Sequence, residues 1–441
     1  MHRVYLKISS YINKIAINLN LPFLNAVIFF LNLKKLNINY KKNCKKTIII
    51  LYRHDGVSDI KEAYKNNKES SIKFLIFPRL LLKDIFNYFL KGLVNDYYYV
   101  DIKDKEINKK KQEYFDYLKK ILVILNKFTK FHAILSFNVF YYAERELQRV
   151  SKNLNIKFLV LLKEGISTNQ VKKQLSWQLK NTADKFFGDK IATYNIFRKN
   201  MLIEANTVKK KDIQAIGIPR YDKIFKYSKN IKNRNSVVYF SLRKEAGFFN
   251  SGKDIPNNKY KSLGKKIPKT NLISEKKLQN ILKKNEKKMI SILLNLARKN
   301  PNIDVIVKYK TGEGNYFINV DKKPSNMYFI TEGSGYKLLE NCKVAIGFNT
   351  SALYEAIIAS CKVLVVSFDI DKKKYKDSLL NYFGMAEHVF DKSKMTEKLN
   401  YYVNNHKLKK VKINNKLKLL VGKLDGSAQK KLRQFLNKSL N

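Results

Sequence analysis

The residues best placed by type and spacing to do chemistry lie in Val344–Phe368, VAIGFNTSALYEAIIASCKVLVVSF. A buried strand ends at Gly347, a turn follows at Phe348-Asn349, and Thr350 and Ser351 stand where a helix begins, as capping residues do. Unpaired N–H groups at such a start, reinforced by the helix dipole, suit a phosphate. Glu355, about one turn on by helical geometry, faces near the same mouth and can accept from two hydroxyls of a ribose or sugar. An ordinary N-cap with a solvent-exposed Glu is the other reading. In YFSLRKEAGF (Tyr239–Phe248), Ser241, Arg243 and Lys244 leave the carboxyl end of a strand; in IDVIVKYKTGEG (Ile303–Gly314), Lys308 and Lys310 do the same. Arg grips phosphate bidentately and Lys acts as a point charge, so these cations suit a phosphate, unless they form a solvated basic loop. In the N-terminal half, LYRHDGVSD (Leu51–Asp59) presents Arg53, His54 and Asp55 at the end of the first strand. His54 is a candidate for proton transfer, with a purely structural role as the alternative.

Short apolar runs must carry these strand ends. Thr47–Tyr52, Ile72–Phe77, Tyr97–Ile102, Phe131–Phe137, Ile156–Leu162, Lys190–Tyr194 and Ile213–Ile218 read as strands, with helical patterns such as Asn108–Lys127 between them. A second series follows: strands Ser236–Leu242, Ile303–Lys308, Met327–Ile330, Val344–Phe348 and Val363–Phe368, a long amphipathic helix Ile273–Lys299, and helices Tyr336–Asn341 and Ser351–Ala359. Alternation of this kind predicts βαβ units and parallel sheets. Lys226–Asn235 reads as the linker and Lys244–Thr270 as a long loop. Ahead of both series, Leu21–Leu33 (LPFLNAVIFFLNL) is too short and too interrupted for a membrane span. It reads as a helix docked on the domain or as an interfacial helix, with Lys34, Lys35, Lys41, Lys42, Lys45 and Lys46 beside it.

Composition narrows the classes. The 441 residues are 45% hydrophobic, which excludes a disordered chain. Lys and Arg number 88 against 36 Asp and Glu, a net charge of +52. Of the basic residues 77 are Lys and 11 Arg, scattered along the whole length rather than gathered on one stretch. Nucleic-acid recognition concentrates its charge, so no nucleic-acid partner is expected. The same charge suits an anionic membrane surface or phosphorylated substrates. Cys44, Cys342 and Cys361 form no CxxC and no Cys/His cluster, and no zinc or other metal site is expected. There is no P-loop, dinucleotide fingerprint, HExxH or GxSxG. The one DxD, Asp369-Ile370-Asp371, sits among lysines, which argues against a metal role.

The segment GFNTSALYEAIIASCKVLVV resembles the donor-site segment of GT-B glycosyltransferases. IGIPRYDKI (Ile216–Ile224) resembles the G-x-P-R-x-D segment of surface-carbohydrate biosynthesis proteins and of CDP-glycerol glycerophosphotransferases, and LDGSAQKKL (Leu424–Leu432) resembles the ending of the same groups. FLVLLKEGI (Phe158–Ile166) resembles their strand and Glu-Gly turn. The resemblance spans roughly residues 130–435, and its order and spacing agree throughout. It implies Ser241, Arg243, Lys308, Lys310, Asn349, Thr350, Ser351 and Glu355 as nucleotide- and phosphate-binding residues. It implies Glu164 as a base toward an acceptor hydroxyl, unless Lys163 and Glu164 form a surface pair. Gly217, Pro219, Arg220 and Asp222 would shape a hinge, with Arg220 and Asp222 pairing with each other or holding it. Glycerophosphotransferase relatives carry an Arg/Lys-Pro-His-Pro segment where this chain has Lys308-Tyr309-Lys310-Thr311, so their histidine is missing here.

These readings converge on an α/β fold of two Rossmann-like domains facing a cleft, GT-B-like, behind a short N-terminal helical leader. The expected division is a leader at 1–45, an acceptor-side domain at 46–225 and a nucleotide-donor domain with a C-terminal helix at 236–441. The expected function is transfer of a nucleotide-activated sugar onto a surface polysaccharide or lipid-linked glycan, with no cofactor, in the cytoplasm or at the inner face of the membrane. The alternatives are a non-catalytic membrane-associated scaffold of polysaccharide assembly and a nucleotide-sugar 2-epimerase-like enzyme.

Overall fold

The structure of the protein is a computed structural model that describes residues 2–65, 68–94, 99, 104–163, 165–181, 185–241, 275–309, 323–371, 373, 379–405 and 407–441. Glu164, Arg243, Lys310, most of the Tyr97–Ile102 run and the Lys244–Thr270 loop lie outside them. The chain divides into two compact units, one of Met1–Gly165, Ser176–Arg220 and Leu419–Asn441, the other of Ile166–Leu175 and Tyr221–Lys418.

The first unit opens with helices α1 (His2–Asn18) and α2 (Pro22–Leu31) and a two-residue strand β1 (Lys34–Lys35). Then come β2 (Lys46–Leu51), α3 (His54–Ala63), β3 (Ile72–Phe77), α4 (Arg79–Leu90), α5 (Lys105–Thr129), β4 (Ala133–Ser136), α6 (Arg145–Asn153) and β5 (Lys157–Leu162). Helix α7 (Asn169–Asn181), whose residues up to Leu175 count with the second unit, β6 (Lys190–Thr193), α8 (Ile196–Glu204) and β7 (Ile213–Ala215) follow. The seven strands lie in the order β1-β3-β2-β4-β5-β6-β7, parallel except for β1. A sheet covered on both faces demands unbroken apolar strands, which is why Ile48–Leu51 and Phe158–Leu162 are buried without alternation. Helix α2 is docked: Asn25, Ala26, Ile28 and Phe29 are buried, and it packs on α5.

The second unit holds α9 (Tyr221–Tyr227), β8 (Ser236–Phe240), α10 (Glu275–Lys299), β9 (Asp304–Lys308), β10 (Met327–Ile330), β11 (Cys342–Gly347), α11 (Ala352–Ile358), β12 (Lys362–Val366), β13 (Glu387–Val389), α12 (Lys392–Asn404) and α13 (Asn415–Val421), whose last residues return to the first unit. Its six parallel strands run β10-β9-β8-β11-β12-β13. Counted along the unit this is 3-2-1-4-5-6, the doubly wound order. The expected fold class of two Rossmann-like units behind N-terminal helices is therefore the observed one. Strand β13 and helix α12 have no counterpart in the sequence-based assignment, and the Tyr336–Asn341 helix is a 3₁₀ turn over Gly335–Glu340.

Strand β13 is secured by charge. Glu387 pairs with Lys362 Nζ at 2.8 Å and Lys398 Nζ at 2.5 Å and accepts from the Tyr402 hydroxyl at 2.6 Å. Burial opposes ionisation, but these donors outweigh it and draw the carboxyl down to about 2. A carboxylate depressed in the folded state stabilises above its unfolded pKa, near 4.3, and loses that contribution as pH falls toward about 2. We expect Glu387→Gln to cost about 1–2 kcal/mol at neutral pH, discounted for partial exposure. The gap from the parent protein should close as urea unfolding is repeated between pH 5 and pH 2.

The last helix, α14 (Ala428–Leu440), departs from the expected division. The sequence assigns it to the second unit, yet residues 419–441 belong to the first, where α14 packs against α3, β5 and β6. Arg433 Nη1 donates to the Ala63 carbonyl, and Gln429 Nε2 reaches the Pro219 carbonyl at 3.3 Å. An amphipathic helix announces a buried face, here Leu432, Phe435 and Leu436, but not the sheet that will cover it. The division between units also falls at 220/221 rather than 225.

Candidate functional site

In a doubly wound sheet, ligands bind outside the carboxyl ends of the strands where the strand order reverses. In the second unit that point lies between β8 and β11. Ser241 follows β8, Lys308 ends the neighbouring β9, and Phe348–Ser351 follow β11. The Ser241 N–H donates to the Lys308 carbonyl at 3.1 Å, so the two residues adjoin on the same edge. Glu286, on α10, holds this edge from above the sheet: it accepts from Ser241 Oγ at 2.7 Å and Tyr239 Oη at 2.5 Å. The 3₁₀ turn presses on it as well, since a Cβ on Gly335 would stand 2.9 Å from the Phe240 ring.

The segment after β11 is more self-contained than the sequence implies. Asn349 is buried in a left-handed conformation, φ +43, and its Oδ1 accepts from the Leu380 N–H at 2.7 Å. The Thr350 N–H donates to the Tyr382 hydroxyl at 3.1 Å, and the Ala352 N–H donates to Thr350 Oγ1 at 3.3 Å. The N–H groups of Leu353 and Tyr354 close onto the Thr350 and Ser351 carbonyls. Most amides of this turn are thus spent internally, which corrects the expectation of an array of free N–H groups for a phosphate. Ser351 is exposed, and Glu355 lies in the first turn of α11 at 9% exposure, not on an open surface. Lys308 is a strut: the residue is 7% exposed, and its ammonium donates to the carbonyls of Tyr309 at 2.7 Å and Thr331 at 3.3 Å. Burial pushes its pKa down, against the pull of Glu332.

The first unit has its own reversal, between β2 and β4. Here β2 runs into Arg53 and α3, and Gly56 lets the helix start close to β4: a Cβ on it would fall 2.2 Å from the Phe137 ring. Arg53 and Arg79 both lie over the Tyr141 ring, at 4.5 and 4.1 Å from its centre. Arg79 Nε is held by the buried Glu144 at 2.5 Å. His54 is about half exposed, and its Nδ1 stands 3.4 Å from Asp55 Oδ1. Lys163 Nζ approaches the other Asp55 oxygen at 3.4 Å. Although partial burial opposes it, Lys163, Arg220 and His54 hold the Asp55 carboxyl below its ordinary value. The pair sets an imidazole beside a carboxylate at the carboxyl end of β2, the position expected for a group that exchanges a proton with a hydroxyl.

Of the residues expected at a hinge, Gly217, Pro219 and Arg220 belong to the first unit. Arg220 is paired with Asp59 of α3, its Nη1 3.0 Å from Oδ2 and its backbone N–H 3.2 Å from Oδ1. The Tyr194 hydroxyl donates to the same carboxylate. This partner sits 161 positions upstream, beyond the reach of sequence spacing, which offered Arg220 a pairing with Asp222 or a hinge role. Asp222 is buried at the start of α9. Gly217, φ +86, lies against the C-terminal segment: a Cβ on it would meet Ala428 Cβ at 3.0 Å. The two resembling segments, Ile216–Ile224 and Leu424–Leu432, therefore meet in space at Gly217 and Pro219.

Asp59, Glu286 and Tyr382 escape sequence reasoning, the first because it reads as one more acid on an amphipathic helix, the others because no spacing marks them. Asp369, first residue of the DxD, is in a left-handed turn, φ +58, and pairs with Lys288 at 3.0 Å. Among the described residues no group of three or more His, Cys, Asp or Glu could hold a metal ion.

No protein-family model matches the chain, and no curated protein matches it. Solved structures do. The UDP-GlcNAc 2-epimerase from Methanocaldococcus jannaschii is similar at 12% identity and a TM-score of 0.44, covering 89% of this chain and 99% of that one. The epimerase from Neisseria meningitidis bound to UDP-GlcNAc stands at 13% and 0.42, with the same coverage. The wall teichoic acid polymerase TagF, in its H548A form, stands at 12% and 0.47, covering 99% of this chain and 98% of that one.

Proposed function

We propose that the protein is a glycosyltransferase of GT-B type that takes a nucleotide-activated sugar and transfers the sugar to a surface polysaccharide or lipid-linked glycan. The observation that carries this reading is the reversal of strand order between β8 and β11. It sets the GFNTSALYEA segment at the crevice position of a doubly wound sheet. On this reading the second unit binds the nucleotide, with Glu355 taking hydroxyls of the donor and Asn349 to Ser351 lining its diphosphate. Arg243 and Lys310 supply the positive charge that the internally bonded Lys308 does not. In the first unit His54, steadied by Asp55, or Glu164 accepts the proton of the acceptor hydroxyl, and no metal step is invoked.

Calorimetry on the full chain with UDP, CMP, CDP and GDP and their sugar conjugates tests this. One nucleotide series should bind, and Glu355→Ala should weaken the sugar conjugate by about 1–3 kcal/mol, the cost of unmet hydrogen-bonding partners. Ser351→Trp should abolish binding with the fold intact. Binding of no nucleotide by the parent protein would remove the transferase reading, and turnover of a nucleotide sugar without any acceptor would turn it toward epimerase chemistry.

A further inference from the structure

Helix α1 is built inside out. Its inward face carries Ser9, Ser10 and Asn13, all buried, ahead of the buried Ala16 and Ile17 of its last turn. They are satisfied by a polar network: Ser10 Oγ donates to Asp84 at 2.6 Å, Asn13 Nδ2 to the Leu81 carbonyl at 3.0 Å, Asn25 Nδ2 to Asn13 Oδ1 at 2.8 Å and Asn32 Nδ2 to Ser9 Oγ at 3.1 Å. The outward face is apolar. Val4, Ile8, Tyr11, Ile12 and Ile15 recur at i, i+4, i+7, i+8 and i+11, one continuous stripe, and Tyr11 is 68% exposed. The adjoining α2 leaves Phe23 and Leu31 each 61% exposed. Eleven of the 21 large apolar side chains exposed among the described residues fall within the first 31 positions. A helix facing water puts its apolar stripe inward; a contiguous outward one marks a surface that meets something apolar.

Charge identifies what it meets. Residues 1–54 contain ten Lys and Arg and no Asp or Glu. Lys14, beside the stripe, is 61% exposed, and Lys34 and Lys35 project from β1. A second copy of the chain would bring like charges together, whereas an anionic bilayer offers an apolar interior under a negative surface. We propose that the outer face of α1, with the open side of α2, docks the protein onto an anionic lipid bilayer. The stripe lies at the boundary of headgroups and acyl chains and the lysines lie among the phosphates. No helix among the described residues is long and apolar enough to cross a membrane, so the protein rests on the surface through this face. The inference is independent of the transferase reading.

Flotation of the full chain with large vesicles tests it, using phosphatidylglycerol mixed equally with phosphatidylcholine, and phosphatidylcholine alone. Association with the anionic vesicles should be stronger by about tenfold or more, and added salt should weaken it. Tyr11→Glu combined with Ile15→Glu should lower association by about tenfold while leaving the melting temperature unchanged, because both side chains already face solvent. Ile8→Ser with Tyr11→Ser, which adds no charge, should act in the same direction. The proposal is overturned if the parent protein floats with neither vesicle, if the folded variants float as well as the parent, or if the stripe variants merely dissolve a dimer that never bound vesicles.

Discussion

Replacing Asp59 with alanine should destabilise the first unit by about 3 kcal/mol or more, the effect of stripping one partner from a buried ion pair. Asp59 is fully buried and accepts from Arg220 twice and from the Tyr194 hydroxyl. Burial pushes its carboxyl up, and the Arg220 guanidinium, the Tyr194 hydroxyl and the Arg220 backbone N–H oppose that. Alanine removes this acceptor from both donors, with Arg220 only 19% exposed by side chain. The control lies one turn earlier on α3. Asp55, at 60% side-chain exposure, should cost about 0.5 kcal/mol or less on the same change. Urea unfolding followed by a probe in the first unit decides it, because two units need not unfold together. Asp59→Leu with Arg220→Met should recover much of the loss, since an apolar pair of similar volume replaces the ions without orphaned charge. Equal losses for Asp55→Ala and Asp59→Ala would show that the pair contributes no more than a surface acid.

Gly422→Ala is the second large effect, expected at about 3 kcal/mol from two sources acting together. At φ +90 an alanine carries backbone strain, and its Cβ would stand 2.8 Å from Gly217 Cα and 3.1 Å from the Tyr194 carbonyl oxygen. Both obstacles are main chain and cannot swing aside as a flexible side chain would. Gly426, four positions on, has a similar φ of +76 with nothing within 4 Å of its would-be Cβ. Gly426→Ala should therefore show the strain alone, about 1 kcal/mol. Thermal melts of the two variants separate collision from strain. Matching losses would mean that the approach of the C-terminal segment to Gly217 is not tight in solution.

Much of the fold was legible from local pattern. TIIILY, FLVLL, SVVYF and VAIGF are unbroken β-branched and aromatic runs between helical periodicities, and each is a central parallel strand. The edge strand β13 was not legible, because its three residues, Glu387–Val389, hold their place through the Lys362 and Lys398 ion pairs rather than through an apolar run. The positions of chemical residues at strand ends were legible for the same reason the strands were: Ser241, Asn349 and His54 each follow a strong apolar run. Their present partners were not. Sequence spacing offered Arg220 a pairing with Asp222 or a hinge role, but not its ion pair with Asp59, since a buried carboxylate finds whichever cation the topology lays over it. Lys308 read as a phosphate ligand because of its place at a strand end; packing instead turns its ammonium onto two carbonyls.

By itself, then, the sequence determined the two doubly wound units, the strand ends where chemistry can sit and the glycines that turns require. These follow from residue-level preferences that act over a few positions. The tertiary structure alone decided that α14 closes on the first unit, that most of the amides after β11 are satisfied internally, and that α1 turns its serines and asparagine inward. Each of those outcomes depends on which polar groups a distant element presents: Pro219 and Ala63 for α14, Tyr382 for Thr350, Asp84 and Leu81 for α1. Periodicity shows that a helix has two faces; only the partner groups across the interface settle which face is buried.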